Sequence, residues 1–157
     1  MSLQPDFLLK SVESVTPAFL QQHNIRLLIL DADATLILAQ TDYILPKRVA
    51  LVEGIRNSGI RVMVASNGKT YRIKKAFGEH QIEAHGYSLK PLPFRLKKLI
   101  RGYAKKEVLL VGDQFFTDVL CAKLLGIRCV MVEPFGPDKG HGMALRRFFE
   151  KIIVKRK

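Results

Sequence analysis

Cysteines are scarce in this sequence, and long apolar runs are missing from it. The 157 residues include two cysteines, Cys121 and Cys129, which lie in apolar surroundings without a Cys-x-x-Cys spacing, so we expect buried free thiols. The four histidines show no metal-ligand spacing.

No apolar stretch approaches the ~20 residues that a membrane-spanning helix needs. The first residues carry neither a long apolar stretch nor a small-residue cleavage site, which predicts a cytosolic protein without a signal peptide.

Acidic residues are also few, and their distribution is uneven. The chain has 26 Lys and Arg residues against 14 Asp and Glu residues, a formal net charge of +12. Residues 1–60 carry five basic and six acidic side chains, whereas residues 61–157 carry 21 and eight. Such an excess of positive charge predicts an anionic partner, which could be a phosphorylated substrate, a nucleic acid or an anionic membrane surface.

Length and composition predict one globular domain over residues 1–157. Hydrophobic residues make up 48% of the chain and charged residues 25%, close to ordinary globular usage. A single domain commonly has ~100–150 residues. These values exclude a disordered chain, a collagen and a bundle of membrane helices.

Short apolar runs alternate with helical patterns along the chain. Strands are predicted at 26–30, 61–65, 85–87, 108–111 and 127–132. Helices are predicted to begin at Pro17, with Thr16 as N-cap, and to cover 46–57, 69–77, 91–103, 115–125 and 143–154. This alternation predicts an α/β fold with a parallel sheet covered on both faces. Ligands of such sheets bind beyond the carboxyl ends of the strands.

Polar side chains follow the first two predicted strands. Asp31 and Asp33 come directly after the first, and two carboxylates at such a place are unfavourable unless a cation or hydrogen bonds neutralise them. Ser66-Asn67-Gly68 follows the second strand and leads into a helix, which favours anion binding by a hydroxyl and backbone amides.

Further charged residues are predicted at the same edge. Lys90 precedes the fourth helix, and Asp113 and Asp118 follow the strand at 108–111. Asp113 and Asp118 could instead cap the helix near Phe115, and Lys90 could be a solvated loop lysine. Taken together, however, these segments place four acids, one lysine and one hydroxyl on the same edge, and hard oxygen ligands with few nitrogen or sulfur donors suit Mg²⁺.

These segments resemble, in order and placement, the four motifs of the haloacid dehalogenase-like (HAD) phosphatase superfamily. The motifs are Asp31-Ala32-Asp33-Ala34-Thr35, Ser66-Asn67, Lys90-Pro91, and Gly112-Asp113 with Thr117-Asp118. The start Pro5-Asp6-Phe7 and the Gly-Asp-Gln-x-x-Thr-Asp motif are similar to the YqeG-like branch of subclass IIIA, which resembles phosphatidylglycerophosphate phosphatases. The resemblance implies a three-layer α/β/α Rossmann-like fold. Ala34 departs from that branch, which usually has Asn there.

The resemblance implies three catalytic residues. Asp31 would be the nucleophile that takes the phosphoryl group as an aspartyl-phosphate. Asp33 would be the general acid that protonates the leaving oxygen and then the base that activates water. Lys90 would balance the negative charge of the phosphate and the nucleophile.

The resemblance also implies which residues bind substrate and metal. Ser66 and the backbone amide of Asn67 would hold phosphate oxygens, together with Lys90. Asp113 would bind Mg²⁺ directly, and Asp118 would bind it through water or orient the site. The implied metal set is Asp31, Asp33 through its backbone carbonyl, Asp113 and Asp118.

The chain has no room for a cap domain, which many members of the superfamily carry. Residues 33–46 allow only a loop and a turn, and residues 66–90 allow one helix and a short strand. An uncapped site favours a phosphate displayed on something large, such as a protein, a nucleic acid end or a lipid headgroup.

Two basic segments fit such a substrate. One is a cluster after Lys90-Pro91 that comprises Arg95, Lys97, Lys98, Arg101, Lys105 and Lys106. The other is the predicted C-terminal helix, with apolar residues at helical spacing and a basic opposite face. That helix could pack on the sheet with its basic face solvated, dock onto anionic lipid, or do both.

The leading hypothesis is therefore a Mg²⁺-dependent phosphomonoesterase that acts on phosphatidylglycerophosphate, in the cytoplasm or peripherally at the inner face of a membrane. A phosphatase of soluble metabolites or nucleic acid ends is one alternative. A catalytically weak module that binds phosphate or nucleic acid is another. The Asp31/Asp33 pair and the lack of an RNA-recognition signature argue against that last alternative.

Overall fold

Six strands form one parallel sheet in the computed structural model, which describes residues 2–136 and residue 151. The strands are β1 Phe7–Leu9, β2 Leu27–Leu30, β3 Arg61–Ala65, β4 Glu83–His85, β5 Val108–Gly112 and β6 Arg128–Val132. Their order is β1-β6-β5-β2-β3-β4, and every neighbouring pair is parallel. The predicted parallel α/β sheet is confirmed.

Strand β2 lies at the point where the strand order reverses. Its last residue, Leu30, is paired with Val64 of β3 on one side and with Val111 of β5 on the other. The chain leaves β2 toward β3 and β4 and then returns to the opposite side of β2 to form β5. The loops after β2 and β5 therefore separate, and the crevice between them lies directly beyond Leu30.

Helices cover both faces of the sheet, as predicted. They are α1 Pro17–Gln22, α2 Pro46–Asn57, α3 Thr70–Gly78, α4 Phe94–Leu99 and α5 Leu120–Leu125. The Thr16 side chain accepts a hydrogen bond from the Phe19 amide at 3.1 Å, which confirms the predicted N-cap. Helix α2 has the predicted bounds.

Alternate residues of the central strand enter two separate cores. Leu28 and Leu30 pack on the face that α1, α2 and α3 cover, whereas Leu27 and Ile29 pack on the face of α4 and α5. All four side chains are fully buried. Because both faces of the sheet are buried at β2, its sequence is a continuous apolar run rather than an alternation of apolar and polar residues.

The structure corrects two predicted helices. The helix predicted at 91–103 covers only Phe94–Leu99, because Pro91 and Pro93 lack the amide hydrogens of a helix interior and Gly102 adopts a φ of +89°. The helix predicted at 115–125 begins instead with a single π-helical turn, Phe115–Val119, before α5.

Two strands also differ from the prediction. The strand predicted at 85–87 lies at Glu83–His85. Strand β1 was not predicted, because three half-buried residues at a sheet edge carry too little pattern. Asp6 anchors it, since its carboxylate accepts hydrogen bonds from the Cys129 amide and the Lys123 ammonium, both at 2.9 Å.

Residues 2–136 contain no cap domain, in agreement with the prediction. Within the described part of the chain, no helix has the length and apolar character required to cross a membrane. Both cysteines are buried and free, as predicted. The predicted C-terminal helix, 143–154, lies outside the described residues except for Lys151.

Candidate active site

A buried lysine joins two carboxylates beyond the end of β2. Lys90 Nζ lies 2.7 Å from Asp31 Oδ1 and 2.6 Å from Asp118 Oδ1. The Lys90 side chain is only 1% exposed, so Lys90 is not a solvated loop residue. Burial disfavours the charge on Lys90, but Asp118 and Asp31 outweigh this effect and raise the Lys90 pKa above its usual value.

A third carboxylate, Asp113, completes a compact acidic group. Asp31, Asp113 and Asp118 each offer an oxygen atom, and these atoms lie within 4.8 Å of one another. Burial raises the pKa of Asp113, and the charges of Asp31 and Asp118 raise it further. Burial likewise raises the pKa of Asp31, although Lys90 opposes the shift. One lysine therefore does not neutralise three buried carboxylates.

The chemistry of this group fits a divalent cation. All three ligands are carboxylate oxygens, which hard cations such as Mg²⁺ prefer. Burial is the main cause of the raised pKa of Asp113 and of Asp31, and a bound cation would offset the repulsion between carboxylates that adds to it. We conclude that the donor set is suitable for Mg²⁺.

Local backbone structure after β5 places two of these carboxylates. The π-helical turn brings Asp118 back over Gly112, where a Cβ atom would lie 2.2 Å from the Asp118 carboxyl carbon. A residue with a side chain would displace Asp118, so the close approach requires glycine. The Asp118 carboxylate also accepts a hydrogen bond from the Gln114 amide at 3.2 Å, and its position is therefore fixed from two sides.

Residues of the loop after β2 support Asp113. The Thr35 hydroxyl donates to Asp113 Oδ1 at 3.3 Å, and the buried Arg48 donates to the Thr35 carbonyl oxygen. Ala34, in the same loop, has a φ of +59°. Asn adopts this left-handed conformation more readily than Ala does, which gives a physical reason for the Asn that the YqeG-like branch usually has there.

Asn67 fixes the segment that carries Lys90. Its side-chain amide donates to the Lys90 carbonyl oxygen at 2.7 Å and accepts from the Lys90 amide at 2.8 Å. The neighbouring Ser66 is buried, and its hydroxyl oxygen accepts a hydrogen bond from the Gly68 amide at 3.0 Å. Sequence reasoning assigned Asn67 only a backbone role, because the pairing with Lys90 spans 23 residues.

Asp33 lies apart from the buried acidic group. Its carboxylate accepts hydrogen bonds from Arg72 at 2.8 and 2.6 Å and from the Gln40 amide at 3.0 Å. Arg72 also donates to the Thr41 carbonyl oxygen at 2.7 Å. The Asp33 hydrogen bond raises the pKa of Arg72. Sequence reasoning did not identify Arg72, since an arginine inside a helix pattern carries no signal of its tertiary partner.

The structure brings the other predicted site residues together. The four segments meet at the carboxyl ends of β2, β3, β4 and β5, with Lys90 between Asp31 and Asp118 and with Asn67 on the Lys90 backbone. The predicted basic cluster, by contrast, is divided. Lys105 and Lys106 lie in a 3₁₀ turn before β5, at the amino end of the sheet, whereas Arg95 lies in the first turn of α4.

Comparison with known proteins identifies relatives of the chain. Residues 2–135 match the family "Mitochondrial PGP phosphatase". The curated protein "Probable phosphatase YqeG" from Bacillus subtilis is 27% identical over 152 residues, which are 96% of this chain and 88% of that protein.

Solved structures share the fold. An uncharacterized protein from Listeria monocytogenes has a TM-score of 0.57 at 16% identity. The matched region is 74% of this chain and 84% of the Listeria chain. A Vibrio cholerae protein assigned as a 3-deoxy-D-manno-octulosonate 8-phosphate phosphatase has a TM-score of 0.51 at 14% identity, over 62% of each chain.

The family match covers residues 2–135, which are nearly all of the described residues. It shows that this chain belongs to the mitochondrial PGP phosphatase family and is a phosphatase of the HAD superfamily.

Proposed function

We propose that this phosphatase is a Mg²⁺-dependent phosphomonoesterase that removes the terminal phosphate of phosphatidylglycerophosphate through an aspartyl-phosphate. The observation that carries the proposal is the buried Lys90 between Asp31 and Asp118, with Asp113 beside them. A phosphate ester is a dianion, so a carboxylate can attack it only where positive charge cancels the repulsion. The site supplies one lysine and a set of ligands for a divalent cation.

Asp31 is the proposed nucleophile. One of its carboxylate oxygens attacks phosphorus, an Asp31–phosphate bond forms, and the bond from phosphorus to the ester oxygen breaks. Lys90 holds Asp31 Oδ1 at 2.7 Å and so orients the other oxygen for attack. Ser66 and the Asn67 amide are the proposed donors to the phosphate oxygens.

Asp33 is the proposed general acid and base. Once protonated on one oxygen, it gives that proton to the leaving alcohol oxygen, and the resulting carboxylate then takes one from the water that hydrolyses the aspartyl-phosphate. Only Ala32 separates it from Asp31 in the sequence, but its carboxylate lies apart from the buried acidic group and contacts Arg72. Arg72 holds that carboxylate at 2.6 and 2.8 Å and defines its position.

The proposed metal ligands are Asp31, Asp113, Asp118 and the backbone carbonyl of Asp33. When bound, Mg²⁺ supplies charge that stabilises the phosphoryl oxygens and the nucleophile. Lys90 stabilises the same two groups from within the protein.

The family match and the open site support the lipid substrate. The matched family is named for PGP, and residues 2–136 contain no cap that would enclose a small metabolite. A phosphate on a lipid headgroup can reach an uncovered sheet edge. We further propose that the protein associates peripherally with an anionic membrane.

The substrate and the metal can be tested in one assay. Purified protein is incubated with phosphatidylglycerophosphate in detergent micelles, or with a panel of sugar phosphates and 5′-phosphorylated oligonucleotides, and phosphate release is measured. We expect the lipid to give the highest kcat/KM, with activity lost in EDTA, restored by Mg²⁺ and poorly restored by Ca²⁺, whose looser coordination lets a carboxylate bind through both oxygens. Full activity in EDTA, or a soluble ester as the best substrate, would contradict the proposal.

Replacement of Arg72 by Gln should lower kcat by about tenfold while changing KM little, because Asp33 then loses both guanidinium bonds and its defined orientation. Arg72→Lys should restore part of the loss, since a lysine can keep one bond. The measurement is steady-state kinetics with a soluble phosphate ester. Arg56→Gln, a change at an exposed arginine of α2, serves as the control. An unchanged kcat in Arg72→Gln would exclude this positioning role.

A further inference from the structure

Exposed apolar side chains are concentrated at the edge of the sheet that carries the candidate active site. Among residues 2–136, nine large hydrophobic side chains are exposed. Seven of them follow the carboxyl ends of β2, β3, β4 and β5, and we call these the apolar rim: Tyr43, Tyr71, Tyr87, Leu89, Leu92, Phe94 and Phe116. The other two, Leu3 and Leu124, lie toward the amino ends of the strands.

Residues of the apolar rim neighbour site residues along the chain. Leu89 directly precedes Lys90, and Tyr71 directly precedes Arg72. Phe116 lies within the π-helical turn that carries Asp118. Its ring packs edge-on against the ring of Phe115, with 5.4 Å between the ring centroids. A partner surface that covers the rim therefore lies over the same sheet edge as Lys90 and the acidic group.

The core does not require these side chains. Both sheet faces are already filled, and Tyr71, Phe116 and Phe94 remain 82%, 76% and 67% exposed. Isolated exposed apolar residues are ordinary, but a group of them at one edge marks a surface that another apolar phase covers. Tyr side chains are enriched where a membrane meets water, and Leu and Phe enter the acyl boundary.

The charge at this edge favours an anionic phase. The exposed Lys69 and Arg95 lie next to the rim, close in sequence to Tyr71 and Phe94. The carboxylates of Asp33 and Asp42 are paired with Arg72 and Lys75, both at 2.6 Å. The whole chain has a formal charge of +12, and each Lys or Arg near an anionic bilayer adds to the attraction.

We propose that the apolar rim inserts into the surface of an anionic lipid bilayer and places the active site over the headgroups. This inference rests on the proposed function and names the partner of that site. It also assigns the contact to the apolar rim with Lys69 and Arg95 rather than to the whole predicted basic cluster, because Lys105 and Lys106 lie at the opposite end of the sheet. The phosphate of the lipid substrate would then reach Asp31 while the acyl chains of the lipid stay in the bilayer.

Two rim side chains outside the catalytic motifs provide the first test. The variant Leu92→Ser/Phe94→Ser is compared with Leu3→Ser/Leu124→Ser, which removes exposed apolar groups from the other end of the molecule. Binding is measured by flotation with vesicles of phosphatidylcholine and phosphatidylglycerol. We expect the rim variant to lose about tenfold or more in binding and the control to bind like the wild type. Both should hydrolyse a soluble phosphate ester at the wild-type rate.

A second measurement removes no apolar surface and does not depend on how the double rim variant folds. The chain contains no tryptophan, so Phe116→Trp and Leu124→Trp each introduce a single fluorophore. With the same vesicles, the emission of the Phe116→Trp variant should shift to the blue and be quenched by brominated lipids, whereas the emission of the Leu124→Trp variant should not change. Vesicles of phosphatidylcholine alone should give a smaller response, because they lack the anionic charge.

Three outcomes would overturn the inference. They are unaltered vesicle binding of the rim variant, equal loss in both multiple variants, and no fluorescence response at position 116. A wild-type dimer that the rim variant converts to a monomer, without vesicle binding, would assign the rim to self-association instead. Hydrolysis of phosphatidylglycerophosphate in detergent micelles separates the two proposals, since its failure rejects the proposed substrate and leaves the vesicle-binding result standing on its own.

Discussion

Asp31→Asn should reduce phosphatase activity by at least about 10³-fold, because the amide cannot act as the attacking carboxylate. The fold should persist, since the change keeps the side-chain shape and removes one of three buried carboxylates. The measurement is kcat/KM with the best substrate of the panel, alongside the thermal midpoint of unfolding. We expect a midpoint equal to that of the wild type or higher in EDTA, because burial, with added repulsion from Asp118, raises the Asp31 pKa and no cation is then present to offset this cost.

Asp42→Asn is the matched control for this variant. Asp42 lies in the same loop between β2 and α2, and its carboxylate is paired with Lys75 at 2.6 Å, but it is partly exposed and outside the acidic group. The same chemical change there should leave kcat/KM within about twofold of the wild type, as surface changes usually do. Turnover of Asp31→Asn close to that of the wild type would reject the covalent mechanism.

Lys90→Met should destabilise the protein by about 3–5 kcal/mol and abolish activity. The substitution keeps an unbranched side chain but leaves the buried Asp31 and Asp118 without their cation, and an uncompensated buried charge is strongly unfavourable. The free energy of unfolding is measured by urea titration in EDTA, so that a metal ion does not replace the lost charge. Activity is measured separately with Mg²⁺ present.

Lys75→Met is the control for the lysine. Its ammonium also lies 2.6 Å from a carboxylate, that of Asp42, but both groups are solvent-exposed, so we expect little change in stability. Acidification gives a further check. In Lys90→Met the carboxylates are protonated as the pH falls, which removes the unpaired charge, so the stability difference from the wild type should shrink at low pH. A difference that is small at neutral pH would show that Lys90 does not balance the buried acids.

The sequence was most informative where the type of a residue and its position after an apolar run indicated the same structure. Apolar runs followed directly by Asp31, Ser66 and Asp113 predicted parallel strands and a polar edge, and the structure has both. Helix α2 was predicted with its observed bounds, since Pro46 and Gly59 mark its ends in the sequence. Local signals such as these depend on a few neighbouring residues, and tertiary packing reinforces them.

The prediction was less successful where contacts are distant in sequence. The Asp33–Arg72 pair spans 39 residues, and the pairing of Asn67 with Lys90 spans 23. Neither helix nor loop patterns indicate which partner a polar side chain will find. The basic cluster failed for a related reason, because residues near each other in sequence lie at opposite ends of the sheet when α4 and the following loop run between them.

The sequence by itself determined the α/β class, the order of the motifs and the identity of the acids and the lysine, because periodicity and residue type are local properties of the chain. Only the tertiary structure decided that Asp31, Asp113 and Asp118 converge around Lys90, that Asp33 pairs with Arg72, and that exposed apolar side chains follow the same strand ends as the site. The physical reason is the switch point at β2, where the strand order, set by packing of the whole sheet, brings together loops from four distant segments.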